Sequence, residues 1–369
     1  MIDRKVLLTP GPVVTSDALK ALLAHPDMSH RQPAFEELVQ RIRRGLLTLL
    51  KADTGYTAAI VSGSGTAANE MALSSLVGPS DEVLLVKNGE FGNRLEEILC
   101  CYGCKLELLA YPWGRLPEPG HVQQCLVRNP RLRWVCMVWH ETSTGMLNPV
   151  REVGAIAHEH GRMLFADCVS AVGGEDINVV RDEIDACSGV PNKAISGMTG
   201  ASFIVARRAV IPLLGPDMPR RNVYLNLQNH IDWADRVSQT PFTPSVTMFV
   251  ALDGALQELQ AEGLGNRIRR YQACARIIRD GVRKLGLRTL LPDEQASNTV
   301  TSVFLPEGIA LREFVKELAA RGYVVYPGKG PFFAQGMFQI ANMGSIWPEE
   351  CKKFLDILER TLVDMGAKV

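Results

Sequence analysis

Three short apolar runs, at 135–139, 163–169 and 201–205, lie within one stretch of the chain and commit it to an α/β architecture. Each is rich in aliphatic and β-branched residues and closes on polar or glycine residues, as buried strands of a parallel sheet do. Two reactive side chains stand just past such runs. Asp167 ends the segment LFAD, and Lys193 sits in a loop rich in serine, glycine and asparagine. Ligand chemistry in α/β sheets collects at the carboxyl ends of the strands.

A lysine amine and a carboxylate in such places suit a carbonyl cofactor. The amine can form a Schiff base. Pyridoxal 5′-phosphate (PLP) needs that lysine, an acidic partner for its ring nitrogen and a phosphate cradle. A cradle is present in the sequence. The apolar run at 58–61 leads into Ser62-Gly63-Ser64-Gly65-Thr66, and a helix begins by Ala67. Glycine lets the backbone approach an anion, the hydroxyls of Ser64 and Thr66 can donate, and the free amides of a helix start face it. Singly, each feature has an ordinary explanation as a turn, a cap or a solvated surface charge.

Together with further segments they form a family pattern. LLTPGP (7–12), GYTAAIVSGSGTAANE (55–70), NGEFGNR (88–94), HETSTGMLNPVREVGAIAHEHG (140–161), FADCVSAVGG (165–174), NKAISGMTGASFIVA (192–206), PFTPSVTM (241–248) and GYVVYPGK (322–329) occur in order over most of the chain. The chain resembles the class V aminotransferases of PLP fold type I, nearest their 2-aminoethylphosphonate–pyruvate branch. The resemblance implies a large domain with a mainly parallel sheet, over 1–250 with an N-terminal arm. A small α+β domain follows over 251–369.

It also implies roles. Lys193 is the Schiff-base lysine and proton shuttle, and Asp167 the partner of the ring nitrogen. Ser64, Gly65, Thr66 and Asn192 hold the phosphate, with Thr243 delivered by the neighbouring subunit of a homodimer. Phe91 and Val169 sandwich the ring, and Thr142 reaches its phenolic-oxygen side. Thr9, Gly11 and Pro12 line the substrate pocket.

One position departs from the pattern. The family places an arginine in a segment of the form FRIGN-x-G, where it grips the substrate's anion. Here the segment reads FQIANMG, with Gln339 in that place. An arginine fork suits a carboxylate or phosphonate, and a glutamine brings no charge. Three readings stay open. Another cation, such as Arg31, Arg94 or Lys329, supplies the grip; the substrate lacks that anion; or the enzyme runs a related PLP reaction. His30-Arg31 is closer to the alanine–glyoxylate branch.

The composition removes other classes. Forty basic and forty acidic residues among 369 cancel, so no global field steers nucleic acid or an anionic membrane. The apolar runs have strand length, and the N-terminal stretch lacks a signal-peptide core. There is no GxxxxGK[ST] and no dinucleotide GxGxxG. The nine cysteines read as reduced thiols, and His158-Glu159-His160 as a helix end before Gly161.

The pattern predicts an amphipathic helix over 34–50. Past about residue 250 it predicts helices over 247–261, 266–285, 311–321 and 349–364, and strands over 299–305 and 323–326. The expectation is therefore a cytoplasmic, homodimeric aminotransferase that moves an amino group from a small amine or amino acid to a 2-oxo acid such as pyruvate. A PLP-dependent lyase, deaminase or decarboxylase is the alternative.

Overall fold

The computed structural model describes residues 5–214 and 221–368; residues 1–4 of the N-terminal stretch read above lie outside them. In chain order the first elements are β1 (Val6–Leu8), α1 (Asp17–Ala21), α2 (Pro33–Leu49), β2 (Tyr56–Ser62), α3 (Gly65–Leu76) and β3 (Glu82–Lys87). Next come α4 (Glu90–Cys101), β4 (Lys105–Ala110), α5 (Pro119–Arg128), β5 (Leu132–Val138) and the short pair β6 (His140–Glu141) and β7 (Met146–Leu147). Then follow α6 (Val150–Glu159), β8 (Met163–Asp167), β9 (Ala186–Gly189), β10 (Ala201–Arg207), α7 (Leu227–Val237), α8 (Val246–Glu262) and α9 (Leu264–Lys284). The last are β11 (Arg288–Thr289), β12 (Val300–Phe304), α10 (Leu311–Ala320), β13 (Tyr323–Pro327), β14 (Met337–Ala341) and α11 (Pro348–Asp364).

The large sheet has seven strands in the order β2-β10-β9-β8-β5-β3-β4. Its pairs are parallel except those made by β10, which runs antiparallel to both neighbours. The expectation that 201–205 is a parallel strand is corrected here. A parallel return needs a crossover, usually a helix. The loop from β9 to β10 holds Lys193 and no helix, so the strand comes straight back.

Helices cover both faces of this sheet. Buried residues of α2, α5, α6 and α8 pack on one face and those of α3, α4 and α7 on the other. That coverage is why the central strands read as continuous apolar runs rather than alternating ones. On α2, the spaced residues Phe35, Leu38, Val39, Ile42, Leu46 and Leu49 are all buried, as the periodicity predicts. Pro33 opens that helix, where a missing amide costs nothing. Phe35 stacks on Phe249 of α8 at 5.8 Å between ring centres.

The second sheet has five strands in the order β1-β13-β14-β12-β11, backed by a core from α9, α10 and α11. Its edge strand β1 comes from the start of the chain and pairs in parallel with β13, Val6 opposite Tyr323. The N-terminal arm thus belongs to the smaller sheet before the chain enters the larger one. No described helix is long and apolar enough to cross a membrane.

Candidate active site

A cavity of about 440 Å³ lies past the carboxyl ends of β2, β3, β8 and β9. Ser64, Gly65, Thr66, Phe91, Asp167, Val169, Asn192 and Lys193 line it together. Eight of the residues that the sequence singled out therefore share one wall. Gly63, Asn69, Arg94, Val190, Thr199 and Gly200 complete it.

At one end, α3 begins at Gly65 after Ser64, whose backbone is extended and whose hydroxyl makes no capping bond. The amides of Gly65 and Thr66 take no hydrogen bond among the described residues. Two unpaired donors and the positive end of a twelve-residue helix make a place for a phosphate. Gly65 is required there by space. A Cβ at this position would lie 2.9 Å from both methyls of Val169.

Asp167 ends β8 and is buried. Its Oδ2 accepts from Asn69 Nδ2 at 2.7 Å and its Oδ1 from the amide of Val169 at 2.9 Å. Ser188 donates in turn to Asn69 Oδ1 at 2.5 Å, which fixes the orientation of that amide. Burial raises the Asp167 pKa, while the Val169 amide, Asn69, Lys193 and Arg94 oppose the rise. A cationic ring nitrogen in the cavity would favour the charged carboxylate.

Lys193 lines the cavity on another side, with protein packed around it. Burial lowers its amine to about 8; Asp167 and Glu141 oppose the fall, and Lys329 and Arg94 add to it. The amine donates to the carbonyl of Pro10. Gly11 lies against the same side chain at φ +107, and a Cβ there would meet Lys193 Cε at 3.1 Å. The turn at 9–12 thus lies over the lysine. Within it, the Thr9 hydroxyl donates to the carbonyl of Pro12 at 2.6 Å, and Tyr326 donates to that of Gly11 at 3.2 Å.

Phe91 is set by a buried carboxylate. Glu141 accepts from the amides of Phe91 and Gly92 at 3.3 and 3.1 Å, so it satisfies the first turn of α4. The hydroxyl of Ser143 donates to it at 2.5 Å. Beside it, burial lowers the pKa of His140 to about 3, with its Nδ1 at 3.2 Å from the carbonyl of Ser170. Its Nε2 is a buried nitrogen without a partner.

Several other candidate residues stand off the cavity wall, Lys329 among them. The Thr142 hydroxyl is 2.5 Å from that of Ser170 and is buried. Thr243 is exposed, 3.5 Å from His30 Nε2. Gln339 lies in β14, buried, and its Nε2 donates to the carbonyl of Thr142 at 2.7 Å and to Ser302 Oγ at 3.1 Å. Arg31 is taken up by Gln239 and by the carbonyls of Thr240 and Pro241, and it stacks on Trp233 at 4.6 Å.

Sequence reasoning overlooked Asn69, although helical spacing could have found it. Asn69 lies four residues after Gly65, on the same face of α3. The unpaired amides, the opposed carboxylate and amine, and the room between them fit PLP. Ser64, Gly65, Thr66 and Asn192 can hold its phosphate, Asp167 its ring nitrogen and Lys193 its carbonyl.

Known proteins resemble this chain over nearly its whole length. The family profile described as "Aminotransferase class-V" matches residues 15–344. The 2-aminoethylphosphonate–pyruvate transaminase of Salmonella typhimurium is 33% identical over 365 residues, 97% of either chain. Among solved structures, the ureidoglycine–glyoxylate aminotransferase of Bacillus subtilis superposes with a TM-score of 0.94 at 26% identity, covering 100% of this chain and 95% of that one. The pyridoxamine–pyruvate aminotransferase of Mesorhizobium loti gives 0.93 at 26% identity, covering 100% and 94%.

Proposed function

The chain belongs to the class V aminotransferases, PLP-dependent enzymes of fold type I, and from that premise we propose that it moves the amino group of a small anionic amine to a 2-oxo acid. The donor we favour is 2-aminoethylphosphonate or a close analogue, and the acceptor pyruvate, as in the name of the Salmonella relative. The observation that carries this reading is the pair of groups across one cavity, a buried carboxylate at Asp167 and a lowered amine at Lys193.

When bound, PLP supplies the carbonyl that takes up the amino group and a ring that draws electrons from the substrate's Cα. Every other task falls to the chain. Asp167 holds a proton on the ring nitrogen, with its own orientation fixed by Asn69 and Val169. Lys193 is the base that takes a proton from Cα, and an amine of about 8 suits that work near neutral pH. The α3 start, Ser64, Thr66 and Asn192 would anchor the phosphate, and Phe91 and Val169 line the space its ring would occupy. The turn at 9–12 shields the amine from water.

Thr243 fits a homodimer in which each subunit completes the other's phosphate site. It is exposed and stands outside its own cavity, on a loop tied to β2 by the Ser245 amide and Ser62 Oγ at 2.8 Å. Nine free cysteines suit a reducing compartment, and we place the enzyme in the cytoplasm.

The test is a half-reaction. PLP-loaded protein is mixed with 2-aminoethylphosphonate, alanine or aspartate, with no acceptor present. Loss of the PLP absorbance with gain of pyridoxamine 5′-phosphate is expected from 2-aminoethylphosphonate. Release of ammonia or carbon dioxide without the pyridoxamine form would point to the lyase chemistry instead.

A further inference from the structure

The family's anchoring arginine is absent, and its replacement does not reach for an anion. Gln339 Nε2 donates to the Thr142 carbonyl and to Ser302 Oγ, so both of its amide hydrogens are used inside the protein. The remaining cations near the cavity are not spread evenly. Three of them surround the ring of Phe91. Arg94 Cζ lies 5.1 Å from its centre, Lys329 Nζ 5.3 Å and Lys193 Nζ 5.6 Å.

These cations have little to balance them. The Lys329 amine makes no ion pair or hydrogen bond with any described residue, while its backbone carbonyl accepts from the Phe332 amide at 3.1 Å. Arg94 has Glu90 on its own helix at 3.9 Å, a long and half-exposed contact. Glu141 is buried and already accepts from three amides and a hydroxyl. Asp167 faces the cofactor's ring nitrogen in the reading above. An excess of like charge around an apolar ring is costly unless an anion sits among the cations. The effect is felt at Lys193, whose amine both Arg94 and Lys329 help to lower.

We propose that Lys329 and Arg94, both close to the ring of Phe91, form the site for the substrate's anionic head. The inference rests on the aminotransferase reading and makes its substrate class specific. The substrate is a short primary amine that ends in a phosphonate or carboxylate. Arg94 offers a planar fork and Lys329 a point charge, a pair suited to an anion that carries more than one charge. The grip has moved from β14 to the first turns of α4 and the end of β13. Arg94 lines the cavity beside Phe91, i and i+3 on one helix face.

The test uses methylphosphonate, which has the head group and no amine. Its binding to PLP-loaded protein is measured by calorimetry for the wild type, Lys329→Gln, Arg94→Gln and Lys329→Arg. PLP absorbance reports that each variant keeps its cofactor. Wild type is expected to bind, both Gln variants to lose about tenfold or more in affinity, and Lys329→Arg to recover most of it. Equal affinity in wild type and both Gln variants, or no binding by wild type, would overturn the site. A wild type that transfers from 2-aminoethylphosphonate while both variants bind methylphosphonate normally fails this inference alone. A wild type that binds methylphosphonate through Lys329 and Arg94 but forms no pyridoxamine with any donor fails only the reading of the reaction.

Discussion

The phenol of Tyr271, on α9, donates to the carbonyl of Ala194, the residue after Lys193, at 2.9 Å. The same oxygen accepts from the amide of Gly344 at 3.1 Å and lies 2.9 Å from Ser196 Oγ. Arg267 adds contacts at 3.2 Å to the carbonyls of Ala194 and Ile195. A buried hydroxyl thus joins the lysine loop to the region after β14. Tyr271→Phe is expected to cost about 1–3 kcal/mol, because the Gly344 amide loses its acceptor. The denaturation midpoint reads this. With the loop loosened, the pH midpoint of PLP capture should also rise toward that of an ordinary lysine.

Lys193→Ala should leave PLP held by its phosphate but without a covalent bond to the chain. Borohydride treatment followed by mass spectrometry checks this. A reduced adduct of PLP mass on the variant would show that another amine carries the cofactor.

The lowered amine of Lys193 has two consequences for pH. Capture of PLP by apo-protein needs the neutral amine, so its rate should climb through about pH 8 and level off above it. Stability follows the same group. Its folded value lies below its ordinary value of 10.5, so between about 8 and 10.5 the unfolded chain binds more protons. The Lys193 contribution therefore makes the apo-protein more stable as pH rises across that window. Lys193→Met should remove that gain, read as the difference between the two denaturation profiles.

Asp167→Asn keeps the shape and removes the charge. PLP binding should survive, while kcat for transfer falls by about 10²–10³, the scale for losing one preorganised electrostatic contact. Stopped-flow half-reactions separate this from a loss of substrate affinity. A drop confined to KM would refute the role.

Gln339→Leu tests whether that side chain is structural. Removing its Nε2 leaves the Thr142 carbonyl and Ser302 Oγ short of a donor. A stability loss of about 1–3 kcal/mol is expected, with methylphosphonate affinity unchanged. A tenfold loss of that affinity would return the anion to β14.

Much of the site is legible in the sequence because its parts are local. The end of an apolar run places Asp167, a Ser/Gly/Asn-rich loop holds Lys193, the SGSGT turn places the cradle, and the spacing of Phe35 to Leu49 gives α2. What stays hidden depends on distant parts of the chain. Ala186–Gly189 is a buried strand made of Ala, Cys, Ser and Gly, too small and polar to read as one. The reversed direction of β10 is set by a loop without a helix, which no residue pattern states. The orientation of Gln339 depends on Thr142, 197 positions away. The gathering of Arg94, Lys329 and Lys193 around one ring likewise arises only when β13 and α4 meet.

The first strand of the chain finds its partner more than three hundred residues later, Val6 beside Tyr323. The turn that follows it lies over Lys193. During synthesis on a ribosome the large sheet can close, with its lysine already in place, while β1 still waits for β13 to emerge. The candidate site is therefore closed over only late in the folding of each molecule. That closure waits until β13 has emerged and β1 has paired with it.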